Sequence, residues 1–137
     1  MSYLLDTTVV SEVMRSRPNA AVLRWFASVP NSALHLSVLT VGEIRAGVEG
    51  RKAGARRERL RVWLEQDLPA WFEDRLLPVD AGVADRWGHL VGAARRTLPA
   101  IDSLIAATAL RSGLRLVTRN TNDFVFPELE LVNPWES

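Results

Sequence analysis

Short apolar runs alternate with helix-length amphipathic segments along the whole chain, and this alternation limits the folds open to it. Tyr3-Leu4-Leu5 is the first run, ended at once by Asp6 and two threonines. Val9, Val10, Val13 and Met14 then recur at helical spacing, and Arg17-Pro18-Asn19 supplies a break and a new N-cap for a helix over Ala20 to Ser28. Pro30-Asn31 closes that helix, and Ala33 to Val38 alternates apolar and polar side chains as a strand does. Thr40 is expected to cap a helix carrying Val41, Ile44 and Val48, which Gly50 ends. From Ala55 to Trp71, residues Leu60, Trp63, Leu64, Leu68 and Trp71 form the stripe of a core-facing helix. After the extended piece Leu76 to Val79, Asp80 caps a helix with the stripe Val83, Trp87, Leu90, Val91 and Ala94. Beyond Pro99, Ile101 to Leu110 is apolar almost all round, as in a helix buried on more than one side, and Gly113 is its stop. Leu114 to Thr118 reads as a strand, Asn120 to Asp123 as a polar turn and Glu130 to Val132 as a last strand. The expected architecture is one α/β domain over residues 1–137, a three-layer α/β/α sandwich with a mostly parallel central sheet.

Composition removes several function classes. The longest stretch free of formal charge, Trp25 to Gly42, is interrupted by Pro30, Asn31 and three serines, so no membrane span is expected. The opening MSYLLD lacks a basic region and a secretory leader pattern, and a cytoplasmic location is expected. Without cysteine there is no disulfide, thiolate nucleophile or zinc–thiolate site, and any metal needs oxygen or imidazole ligands. The net charge of +1 hides an uneven distribution. Residues 51–61 carry six cations against Glu58, whereas after Arg119 there are only acids: Asp123, Glu128, Glu130 and Glu136. Sixteen of the seventeen cations are arginine, the residue suited to planar recognition of phosphate or carboxylate.

In parallel α/β sheets functional groups gather at the carboxyl ends of the strands. Asp6 directly follows the first strand, and Asp123 lies five residues beyond the strand ending near Thr118. Asp102 opens the most apolar helix, and Glu43 shares a helix face with Ala46 and Gly47, small enough for another backbone to approach. Taken singly, Asp102 reads equally well as a helix cap and Asp6 as a turn residue. Four carboxylates drawn together would raise one another's pKa unless a cation lay between them. With oxygen ligands alone, Mg²⁺ or Mn²⁺ is the expected ion, and phosphodiester hydrolysis the natural reaction class.

The segments YLLDTTVVSE, LSVLTVGEIRAGVE, LPAIDSLIAATAL and LVTRNTNDF followed by NPW resemble the PIN domain of VapC-type toxins, particularly the FitB-like branch, from Tyr3 to Trp135. The resemblance implies a PIN fold and a Mg²⁺-dependent endoribonuclease, with Mn²⁺ able to substitute, acting as the toxin of a type II toxin–antitoxin pair. Carried over by motif, the acidic set is Asp6, Glu43, Asp102 and Asp123. Asp6, Asp102 and Asp123 are the implied metal ligands, and Glu43 positions or deprotonates the attacking water. Thr7, Thr118 and Asn120 are candidates for holding the carboxylates in orientation. The implied partners are RNA, a cognate antitoxin whose C-terminal segment wraps the toxin, and a second copy in a homodimer or a higher assembly with antitoxin. Arg51, Arg56, Arg57 and Arg59 could draw RNA in through phosphate contacts. The chain departs from the family in carrying Thr8 where Asn is usual and in a short stretch between Arg95 and Asp102.

His35 alternates with Leu34 and Leu36 on a strand and His89 sits on a helix, which makes both structural. No GxSxG elbow or phosphate-cradling glycine loop is present. A dehalogenase-like phosphatase or receiver domain would need a lysine near the first aspartate, and the one lysine, Lys52, lies in the basic run. The competing class is a catalytically silent PIN-like module that binds RNA or an antitoxin without cleavage.

Overall fold

A computed structural model describes residues 1–136. Five parallel strands form one sheet in the order β3-β2-β1-β4-β5: β1 (Tyr3–Leu5), β2 (Leu34–Ser37), β3 (Leu76–Leu77), β4 (Arg115–Val117) and β5 (Leu131–Val132). The helices are α1 (Thr7–Val13), α2 (Ala20–Ser28), α3 (Val38–Glu49), α4 (Ala55–Val62), α5 (Leu68–Phe72), α6 (Ala81–Ala93) and α7 (Ala100–Ser112). Because side chains alternate along a strand, neighbours in β1 and β4 serve opposite faces. Leu5 and Val117 join Val9, Val10, Trp25, Ile44, Val48 and Phe72 on the face covered by α1 to α5. Leu4 and Leu116 join Ile105, Ala106, Ala109 and Phe124 on the α7 face. That is the expected three-layer arrangement, and no described helix is long and apolar enough to cross a membrane.

Local chemistry sets the element ends. Asn19 Oδ1 accepts the N–H groups of Ala21 and Val22 at the start of α2, and Asp80 Oδ1 accepts that of Val83 in α6. Gly113 ends α7 in the left-handed region at φ 67°. Trp87 Nε1 donates to Ser103 Oγ at 2.9 Å, tying α6 to α7. Glu12 is buried, accepting the Asn19 N–H at 2.9 Å and an Arg15 N–H, so it fixes the α1–α2 corner.

Three sequence expectations differ from the structure. Thr40 does not cap α3: β2 runs directly into the helix, and Ser37, extended at φ −84° and ψ 144°, accepts the Leu39 N–H instead. The expected helix from Ala55 to Trp71 is helical throughout but divided by a π turn at Trp63–Asp67, where the Leu68 N–H bonds back to Trp63 O. Pro69 explains the division, since it lacks an N–H and its ring crowds the carbonyl four residues earlier. Val91 is 40% exposed and not part of the α6 stripe. Val83, Trp87, Leu90 and Ala94 already complete the inward arc, and Val91 lies one residue's rotation beyond it.

This packing predicts a contrast. Leu36→Ala, at 0% exposure between strands, should lower stability by about 2–5 kcal/mol, and Val91→Ala by less than about 0.5 kcal/mol, read from urea midpoints at constant m.

Candidate active site

The register Leu5↔Val117 makes β1 and β4 end side by side, so the residues that follow, Asp6 and Thr118, meet at the carboxyl edge of the sheet. The Asp6 N–H extends the ladder by donating to Val117 O at 2.9 Å, and Asp6 O accepts the N–H groups of Val9 and Val10 as α1 begins. The Asp6 side chain makes no capping bond. Its Oδ2 instead accepts from Thr8 Oγ1 and from Thr118 Oγ1, each at 2.9 Å, in a position only 5% exposed. Two neutral donors on a single oxygen hold the carboxylate rigid without neutralising it. Thr8, standing where the resembling family usually has Asn, therefore still braces the aspartate.

Thr118 is fully buried and also accepts the Asn120 N–H at 3.0 Å. Asn120 thus acts here through its backbone, stiffening the loop that leads to Asp123. Asp123 is exposed on the 3₁₀ turn Thr121–Phe124, whose buried Phe124 anchors it in the α7 face. On the other side, Glu43 projects from α3 into solvent, and Thr7 Oγ1 donates to its Oε1 at 2.6 Å. The Thr7 hydroxyl also lies 3.1 Å from that of Thr40, which is buried in the first turn of α3. A threonine expected as a cap thus supports the site.

Asp102 sits in the first turn of α7 and joins the set electrostatically. Burial first, and then the charges of Asp6, Glu43 and Asp123, push its pKa above the ordinary carboxylate range. The four sequence-predicted acids therefore share one region, contributed by β1, α3, α7 and the loop after β4. All donors are oxygens, so the chemistry of the set fits a hard divalent ion. Among the described residues no three acidic or imidazole side chains close on a single point.

The basic cluster divides. Arg57 Nε donates to Val48 O at 3.0 Å and its other arm pairs with Glu49, so it caps the end of α3. Arg61 is paired with Glu58 and Glu65. Arg51, Arg56 and Arg59 line a cleft that also includes Glu43 and Thr7. One cation escaped the sequence reading: Arg119, next to Thr118, lies over the Trp135 ring at 5.2 Å. The TRN and NPW motifs contain both residues, but only the β4–β5 pairing brings them together.

A parallel sheet with four acids brought into one region near its carboxyl edge defines an α/β protein with an acidic site. The PIN domain model matches residues 3–129. StbB, a plasmid stability protein of Pseudomonas syringae pv. tomato, is 39% identical over 98% of this chain and 99% of its own length. The toxin FitB of Neisseria gonorrhoeae is 36% identical over 96% and 97%, and the VapC ribonuclease Y4jK of Sinorhizobium fredii 35% over 97% of each. The crystal structure of FitAcB from Neisseria gonorrhoeae superposes with a TM-score of 0.91 at 36% identity, covering 98% of this chain and 99% of that one. The chain belongs to the PIN domain family, in the group that holds the VapC and FitB toxins.

Two substitutions should move stability in opposite directions. The raised pKa means that folded Asp102 binds its proton more tightly than the unfolded chain does. Ionised Asp102 therefore costs stability above that pKa, and the cost vanishes below the ordinary carboxylate pKa. In metal-free protein, Asp102→Asn should raise the melting temperature at neutral pH and leave it unchanged near pH ~3. Asp6→Ala strands the buried Thr118 hydroxyl and should cost about 1–3 kcal/mol.

Proposed function

We propose that this protein is a divalent-metal-dependent endoribonuclease, the toxin of a type II toxin–antitoxin pair. The observation that carries the reading is the gathering of Asp6, Glu43 and Asp123 with Asp102 in one region, where burial first and then their charges lift the Asp102 pKa. Such crowding costs stability, and a module that only bound RNA or an antitoxin would have no use for it. The names of the relatives support the substrate and role: VapC ribonuclease for one, toxin FitB for another.

Asp6, Asp102 and Asp123 would hold Mg²⁺, or Mn²⁺ in its place, through their carboxylate oxygens. When bound, the ion supplies charge stabilisation at the phosphate and lowers the pKa of water. The protein supplies the positioning. Thr8 and Thr118 occupy Asp6 Oδ2 and leave Oδ1 without a protein donor among the described residues. Thr7 holds Glu43 by Oε1, so Oε2 is available to take a proton from the water attacking the RNA phosphodiester. Thr118 and the Asn120 N–H fix the loop that brings Asp123 toward the other acids.

The partner under this reading is a small cognate antitoxin. The structure of FitAB bound to an IR36 DNA fragment, 34% identical with a TM-score of 0.88, supports pairing of this kind. A basic residue of the antitoxin entering the acidic pocket would lower its electrostatic cost while blocking substrate.

Purified protein free of antitoxin should cut a mixed cellular RNA pool with Mg²⁺ or Mn²⁺ and not in chelator. Asp6→Asn and Asp102→Asn should each lower the rate at least ~100-fold with the fold retained by circular dichroism. Cleavage at the wild-type rate by either variant would contradict the assignment.

A further inference from the structure

The acid site does not end at Glu43. Thr7 and Glu43 also line a cleft of about 510 Å³ beside α3 and α4, within the ~300–1,000 Å³ of sites that take small organic ligands. Arg51, Arg56 and Arg59 line it together, with Arg15 beyond α1. Arg57 and Arg61, drawn from the same basic run, do not: each is held by carboxylates on α3, α4 or the π turn. Arg51, Arg56 and Arg59 are exposed and form no ion pair among the described residues. Folding has sorted the arginines of the run into paired ones that build the α3–α4 corner and unpaired ones that share a single depression. Four cations with Glu43 as the one carboxylate on the lining suit an anionic ligand. Met14, Ile44 and Leu60 give the same cleft apolar surface.

We propose that this cleft is a nucleotide subsite for the RNA, holding the residue next to the scissile phosphate on the Glu43 side. The inference rests on the nuclease reading and deepens it. A single strand whose phosphate lies at the four acids must continue past them, and on the Glu43 side Glu43 and Thr7 are shared with a lined depression. The next phosphate meets Arg51, Arg56 and Arg59, whose planar guanidinium groups suit phosphate oxygens. The base lies against Met14, Ile44 and Leu60, the apolar part that no phosphate contact requires. An acidic peptide could also meet the arginines, and a loss confined to antitoxin binding is the outcome that would reveal it. The arginine contacts fix register without reading sequence, and any base preference on this side comes from the apolar surface.

Gly47 gives a test that alters shape and leaves charge alone. It lines the cleft, and a Cβ at this position would meet nothing within 4 Å, so Gly47→Phe fills the space and keeps every arginine. Binding of a fluorescein-labelled single-stranded oligoribonucleotide would be measured by anisotropy across a salt series, beside metal-dependent cleavage. The variants are Gly47→Phe, the triple Arg51→Ala/Arg56→Ala/Arg59→Ala, and Arg61→Ala as a control that also loses charge from the run. Mn²⁺ binding to each variant shows that the acid site is intact. Gly47→Phe and the triple variant should weaken RNA binding at least tenfold and raise KM accordingly, with Arg61→Ala within twofold of wild type. The triple variant should also flatten the slope of log affinity against log salt by about 1–2. Wild-type RNA affinity in Gly47→Phe overturns the proposal, and so does a loss confined to antitoxin binding. RNA binding with the expected pattern of losses but no metal-dependent cleavage supports the subsite and contradicts only the nuclease reading.

Discussion

The hydrogen bond from Thr118 Oγ1 to Asp6 Oδ2 joins the carboxyl ends of the two inner strands that carry the site, and the remaining chemistry is arranged around it. It exists because β1 and β4 are parallel neighbours in register, so that the first residue after each strand arrives at the same edge. The carboxylate is released from the usual work of a helix N-cap, which the backbone carbonyl of Asp6 performs alone. Thr118 in turn takes the Asn120 N–H, carrying the order of the strand ends into the loop that presents Asp123. A single buried hydroxyl thereby couples two acids more than a hundred positions apart in the sequence.

Around that bond the electrostatics are deliberately unbalanced. Asp102 is pressed by burial and by three like charges, while the arginines of α4 are divided between neutralised pairs and an unpaired group beside Glu43. The net charge of +1 conceals this juxtaposition of an acidic edge and a basic cleft. The proposed RNA substrate would use both: cations along its backbone, and at one phosphate a place where acids could hold a cation of their own. Exposed ion pairs such as Arg61–Glu58 contribute little stability.

Much of this was legible in the residues. The strand and helix order follows from apolar periodicity, and the breaks at Asn19, Asp80 and Gly113 follow from cap chemistry that acts locally. The four acids could be picked out because each stands at an element end or beside small residues. Tertiary effects were not legible. Thr40 has the composition of a cap but is buried because β2 enters α3 without a loop. Pro69 sits at a permitted early position of a short helix and signals a π turn only once the continuous chain direction is known. Nothing in the spacing of Arg56, Arg57 and Arg59 reveals that the middle one turns to Val48 O while its neighbours line a cleft. The pairing of Arg119 with Trp135 likewise depends on β5 lying beside β4.

The central claim is that these carboxylates are held together for a divalent ion. Titrating the antitoxin-free protein with Mn²⁺ and following free ion by electron paramagnetic resonance tests it without any assumption about substrate. The account predicts saturable binding that strengthens as pH rises through the raised Asp102 pKa, because only the ionised carboxyl binds metal, and that collapses in Asp6→Asn and Asp102→Asn. Absence of saturable binding in the wild type, or binding undiminished in both variants, would contradict it.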